Sequence, residues 1–208
     1  APLYDVSWTN RYTNTNRETG VRTEKCEANE RAAKALEAAI GGNKASGWTC
    51  CHIWGIDDET FEATNLVVQD PRFYSCIGNM LFLPTPLKAF TDSVPEIKEM
   101  LRVCAFYLYG WVCEHPDVQV AANRIRSGYI PENYPKEWPT AKNPTLKPTN
   151  TVAFDDDIRQ SAERRRNQIF QALKEQADNP NFPKQKVLEA INFWKVEPPQ
   201  KGRPSGAA

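Results

Sequence analysis

An α+β fold is predicted, with a small hairpin-and-helix core embedded in a mainly helical domain, and three observations predict it. Two short runs rich in aromatic and apolar residues, Gly47 to Gly55 and Asn79 to Leu83, are bounded by glycine or stopped by proline, as strands are. Three longer stretches, Lys25 to Ile40, Glu96 to Trp111 and Asp155 to Leu173, repeat apolar residues at helical spacing. The chain has 208 residues, 40% of them hydrophobic and six of them Trp, enough apolar surface for one core and too little length for a multidomain machine.

In chain order, Tyr4, Val6 and Trp8 alternate as in a short strand, and the polar, turn-rich stretch after them predicts an arm or loop. Ala32, Ala33, Leu36 and Ala39 put one small apolar face on a helix that Gly41 and Gly42 close. Gly47 to Gly55 predicts a strand with His52 near its end, followed by a polar loop, and a second short strand is expected around Asn65 to Gln69 before the turn at Asp70-Pro71. Asn79 opens a strand stopped by Pro84, and Pro84 and Pro86 suit the first turn of a helix, where no amide donor is needed. Ser93-Val94-Pro95-Glu96 has the spacing of a capping box, so a helix is expected to start there, with Ile97, Met100, Leu101, Cys104, Leu108 and Trp111 as its buried stripe. His115-Pro116 marks a turn, and Val118 to Arg126 a short helix. Five prolines between Tyr129 and Thr151 predict an irregular connector. Asp155 to Asp157 suit a helix N-terminus, with Ile158, Ala162, Ile169 and Leu173 facing inward, and Val187 to Trp194 ends the ordered part. The organisation expected is 1–46 as N-terminal arm and helix, 47–128 as core, and 129–208 as connector and helical extension.

Lys and Arg total 26, as do Asp and Glu, so no global field favours nucleic acid or membrane and any polyanion site must be local. No apolar run approaches the ~20 residues that cross a bilayer, and the expectation is a cytoplasmic protein without membrane contact. The six cysteines form no C-x-x-C pair of a structural zinc site, and buried thiols in a reducing compartment account for them, with a disulfide framework as the alternative.

One segment joins chemistry-bearing residues at informative spacing: a strand with Cys51-His52, a loop, a strand opening at Asn79, then a helix carrying Lys88 and Asp92. This arrangement resembles the HNH, or ββα-metal, nuclease family over about a third of the chain. The resemblance implies a DNA endonuclease in which His52 is the general base, Asn79 orients it and the helix supplies ligands to a divalent ion. Imidazole titrates near neutral pH and suits the removal of a proton from water. Cys51 stands where the family usually has Asp, Glu or His, and Lys88 stands nine residues after Asn79, where His or Asn is common. Asp92, thirteen residues on, is a competent carboxylate. Cys51 and Asp92 are therefore the expected metal ligands, for Mg²⁺ first, with Zn²⁺ or Mn²⁺ as alternatives, and Lys88 a direct phosphate contact.

Each residue also has a plain structural reading. In that reading His52 is a hydrogen-bonded strand end, Asn79 a turn cap, Cys51 core and Asp92 an exposed residue before a helix. A nuclease-like scaffold without activity, binding nucleic acid or a protein partner, is the second reading, and an unrelated helical domain with His52 and Asn79 far apart is the third. Arg164, Arg165 and Arg166 fan over about 200° of a helix and with Arg159 offer a cationic face to a DNA backbone, or a solvated face balanced by Asp155 to Asp157 and Glu163. A homodimer would follow if both strands are cut.

Overall fold

The computed structural model describes residues 12–15, 20–26, 29–42, 46–55 and 66–199. The alternation at Tyr4, Val6 and Trp8, most of the loop after Gly55 and the end of the chain from residue 200 lie outside them. The fold is α+β. Among the described residues, two antiparallel hairpins, β1 (Tyr12–Thr15) with β2 (Arg22–Lys25) and β3 (Trp48–His52) with β4 (Met80–Pro84), are set among seven helices: α1 (Asn29–Ile40), α2 (Pro71–Tyr74), α3 (Thr85–Ser93), α4 (Pro95–Tyr109), α5 (Gln119–Arg126), α6 (Asp156–Glu175) and α7 (Lys184–Phe193). Among the described residues, no helix is long and apolar enough to cross a membrane.

The central hairpin is a wall between two apolar clusters. Its register pairs Cys50 with Phe82, Cys51 with Leu81 and His52 with Met80. Side chains alternate along a strand, so Cys50, His52, Met80 and Phe82 share one face. Cys50 and Met80 join Cys26, Ala32, Ala33, Leu36, Val68 and Tyr74 in one cluster, against which Phe82 packs. On the other side Leu81 packs on a cluster of Ile53, Trp54, Phe73, Val103, Cys113 and Ile125, among others. Helix α1 buries Ala32, Ala33, Leu36 and Ala39, the face its sequence spacing predicts.

Several elements depart from the expectations. Where a strand was expected around Asn65 to Gln69, Val67–Gln69 is a 3₁₀ turn, and Asn65 lies outside the described residues. Asp70 then caps α2 by accepting from the Arg72 amide at 2.9 Å, with Pro71 in the first turn, so local cap chemistry overrides the apolar composition. The capping box at Ser93 is not made either. Ser93 ends α3, Val94 is extended as residues before proline tend to be, and α4 begins at Pro95, whose missing donor needs no cap. Helix α4 buries Arg102, Val103 and Cys104 most deeply and stops at Gly110, whose φ of 68° gives the left-handed C-terminal turn. Within the arm, β1 and β2 pair into a hairpin where only a loop was expected. In α6, Asp155 caps the helix through the Ile158 amide at 3.0 Å, as its position suggests, but the buried residue is Ser161 while Ala162 is exposed. The Ser161 hydroxyl donates to the Ala38 carbonyl at 2.8 Å, one of the last-turn carbonyls of α1 that lack an intrahelical donor. Helix α7 fastens α2: Phe193 and Trp194 pack edge-on to Phe73, and the Trp194 indole donates to the Arg72 carbonyl at 3.1 Å. All six cysteines are free thiols.

Candidate active site at the central hairpin

His52 is half-buried at the end of β3. Its Nε2 lies 2.8 Å from the Tyr74 carbonyl oxygen, and its ring stacks on the Tyr74 ring with centroids 4.6 Å apart and planes 27° apart. A carbonyl only accepts, so Nε2 carries the proton and donates, and in the neutral ring the basic lone pair belongs to Nδ1. Tyr74 is fully buried, and its hydroxyl donates to Asn29 Oδ1 at 2.9 Å at the start of α1.

Asn79 is fully buried, and its carboxamide holds backbone. Oδ1 accepts from the Trp54 amide at 2.7 Å, Nδ2 donates to the Phe73 carbonyl at 3.2 Å, and the Asn79 carbonyl accepts from the Ile53 amide at 3.0 Å. The expectation that this side chain grips the imidazole is corrected: the group on Nε2 is the Tyr74 carbonyl. Asn79 pins the two residues that follow His52 and the residue that precedes Tyr74, so it orders both chain segments that carry the imidazole and its acceptor. Gly78 allows this tight packing, since a Cβ there would stand 2.5 Å from the Trp111 ring.

Cys51, Lys88 and Asp92 gather on the other side of the strand. The Cys51 thiol is buried and lies 3.8 Å from the Thr49 carbonyl. Burial pushes that thiol up, against a pull down from the Thr91 hydroxyl and the Lys88 charge, with Asp92 adding to the push. Lys88 and Asp92 form an ion pair one helical turn apart on α3. The single pocket expected from the sequence is therefore divided: strand alternation sends His52 toward the Tyr74 side and Cys51 toward α3. Among the described residues, no group of three or more His, Cys, Asp and Glu side chains is placed to hold a metal ion. A protonated thiol and a carboxylate already paired with lysine are a poor cage for Mg²⁺, which prefers several hard oxygen donors.

The arginines of α6 also divide. Arg164 is exposed, and Arg159 is exposed and pairs with Asp156 at 2.8 Å. Arg166 pairs with Glu163, and Arg165 turns inward to the Ala35 carbonyl of α1 at 3.4 Å, where burial lowers its pKa. Arg165 is thus a packing residue rather than part of an open cationic face. His115, at the expected turn, is buried. Its Nδ1 accepts from the Asp117 amide at 3.2 Å and its ring meets Phe73 edge-on, which makes it a turn cap.

Tyr74 is the residue sequence reasoning missed. The one signal for it is the Asp70-Pro71 helix start, which ends its single turn at Tyr74. No protein-family model, no curated protein and no solved structure matches the chain.

Proposed function

We propose that the protein is an endonuclease that hydrolyses DNA phosphodiester bonds, with His52 as the general base. The observation that carries this reading is the half-buried imidazole whose Nε2–H is held by the Tyr74 carbonyl, a bond that assigns the basic lone pair to Nδ1. In the step proposed, water gives a proton to Nδ1 as its oxygen bonds to phosphorus, the bond from phosphorus to the leaving oxygen breaks, and that oxygen takes a proton from solvent. A divalent ion, when bound, would neutralise charge on the phosphoryl oxygens. Cys51 and Asp92 do not fit as its ligands on the His52 side, so the roles assigned to this chain are those of His52, Tyr74 and Asn79. Arg159 and Arg164 are the proposed phosphate contacts on α6.

The second reading, a scaffold of the same ββα order that binds nucleic acid or protein without cutting it, is favoured by the Lys88–Asp92 pair, which occupies the carboxylate expected to hold metal. Supercoiled plasmid incubated with Mg²⁺, Mn²⁺, Zn²⁺ or a chelator separates the two. Nicked or linear product supports the nuclease, and plasmid that is retained in a gel shift but uncut under every condition supports the scaffold.

A further inference from the structure

We infer that Tyr74 is the positioning residue for His52, a role that deepens the hydrolytic reading and rests on it. Two contacts from this one residue act on the imidazole in perpendicular directions. The ring face of Tyr74 sets the plane of the imidazole, and the Tyr74 carbonyl at 2.8 Å fixes rotation within that plane and the position of the proton. The stack does not choose between the two tautomers, and the hydrogen bond does.

The clamp is itself held from three sides. The Tyr74 amide donates to the Asp70 carbonyl at 2.9 Å, its hydroxyl donates to Asn29 on α1, and the Phe73 carbonyl just before it accepts from Asn79. Helix α7 closes on α2 through Phe193 and Trp194. A base that must meet water at one nitrogen gains from this, because misplacement by about 1 Å can cost up to about 100-fold in rate.

The test is nitrogen-15 NMR of the histidine side chains together with plasmid cleavage. The chain has two histidines, so a His52→Ala spectrum assigns both. In the unmodified protein His52 is expected as the Nε2–H tautomer, with ring protons moved upfield by the tyrosine ring. Tyr74→Phe keeps the ring and the carbonyl while losing the Asn29 bond, and should keep that spectral signature. Tyr74→Leu keeps the backbone carbonyl and with it the Nε2–H tautomer, but should lose the upfield shift and cut up to about 100-fold more slowly with DNA retention unchanged. An Nδ1–H tautomer or unshifted ring protons in the unmodified protein overturns the inference, even if Tyr74→Leu fails to fold. A folded Tyr74→Leu with the wild-type signature overturns it as well. The expected spectra with plasmid uncut by every form would uphold the clamp while removing the nuclease reading.

Discussion

The two faces of β3 differ by one residue in sequence and by their whole chemistry in structure. On one face His52 stacks on a buried tyrosine and gives its Nε2 proton to a backbone carbonyl. On the other Cys51 is sealed beneath α3, beside an ion pair between Lys88 and Asp92 that neutralises its own charge. Adjacent positions in a strand look like one site in a linear sequence, yet they cannot share a pocket unless the backbone twists between them. The first face keeps a titratable group poised by fixed partners. The second has its charges paired and its thiol held neutral.

This contrast is broken most severely at Asn79, which holds the segments behind both faces. Asn79→Ala leaves the Trp54 amide and the Phe73 carbonyl without their partner in a buried place, and should cost roughly 2–4 kcal/mol in urea unfolding. An unchanged midpoint would mean that those backbone groups find other partners. Gly78→Ala forces the Trp111 ring to move and should cost about 1–3 kcal/mol in the same assay, with a changed tryptophan fluorescence spectrum.

A pH series sharpens the statement that the thiols are sealed. Burial pushes Cys50 up to about 12, with the neighbouring Cys51 adding to it, and pushes Cys76, Cys104 and Cys113 up to about 11, from an ordinary 9.0. Folded values above unfolded ones mean that this part of the stability is fully present below about pH 9 and is lost as pH rises through 11 to 12, because the unfolded chain releases those protons first. The urea midpoint should hold from pH 7 to 9 and then fall. A midpoint flat to pH 11 would show that the thiols ionise as readily in the folded protein as in the unfolded chain.

The smallest expected effect separates the faces most cleanly. Asp92→Asn removes one partner of an exposed pair and should change stability by less than about 1 kcal/mol. With His52, the proposed base, on the far face, it should leave plasmid cutting unchanged. Loss of cutting in this variant would instead place an essential carboxylate on α3.

The hairpin and the buried face of α1 were legible in the sequence because local chemistry decides them: aromatic and branched residues between glycines, alanines at helical spacing. What was hidden depended on partners distant in the chain. Nothing at Ser161 or Arg165 announces that the α1 carbonyls of Ala38 and Ala35 wait for them, so the inward face of α6 was placed on Ala162 instead. The segment around Val67 looked like a strand because apolar composition does not distinguish a strand from a buried 3₁₀ turn, and Asp70 decided the matter through one cap. At the site, His52 and Asn79 were both recognisable as polar groups in apolar runs, but the group between them, Tyr74, reads as one more core aromatic until its carbonyl and ring are seen on the imidazole.

The most direct measurement is the rate at which supercoiled plasmid is nicked by the unmodified protein and by His52→Ala, each at matched folded concentration and with DNA binding measured in parallel. Removal of a general base predicts that binding stays within a small factor while nicking falls by about 100- to 10,000-fold. Equal nicking by the two proteins would contradict the account, since the imidazole clamped by Tyr74 would then have no part in the chemistry.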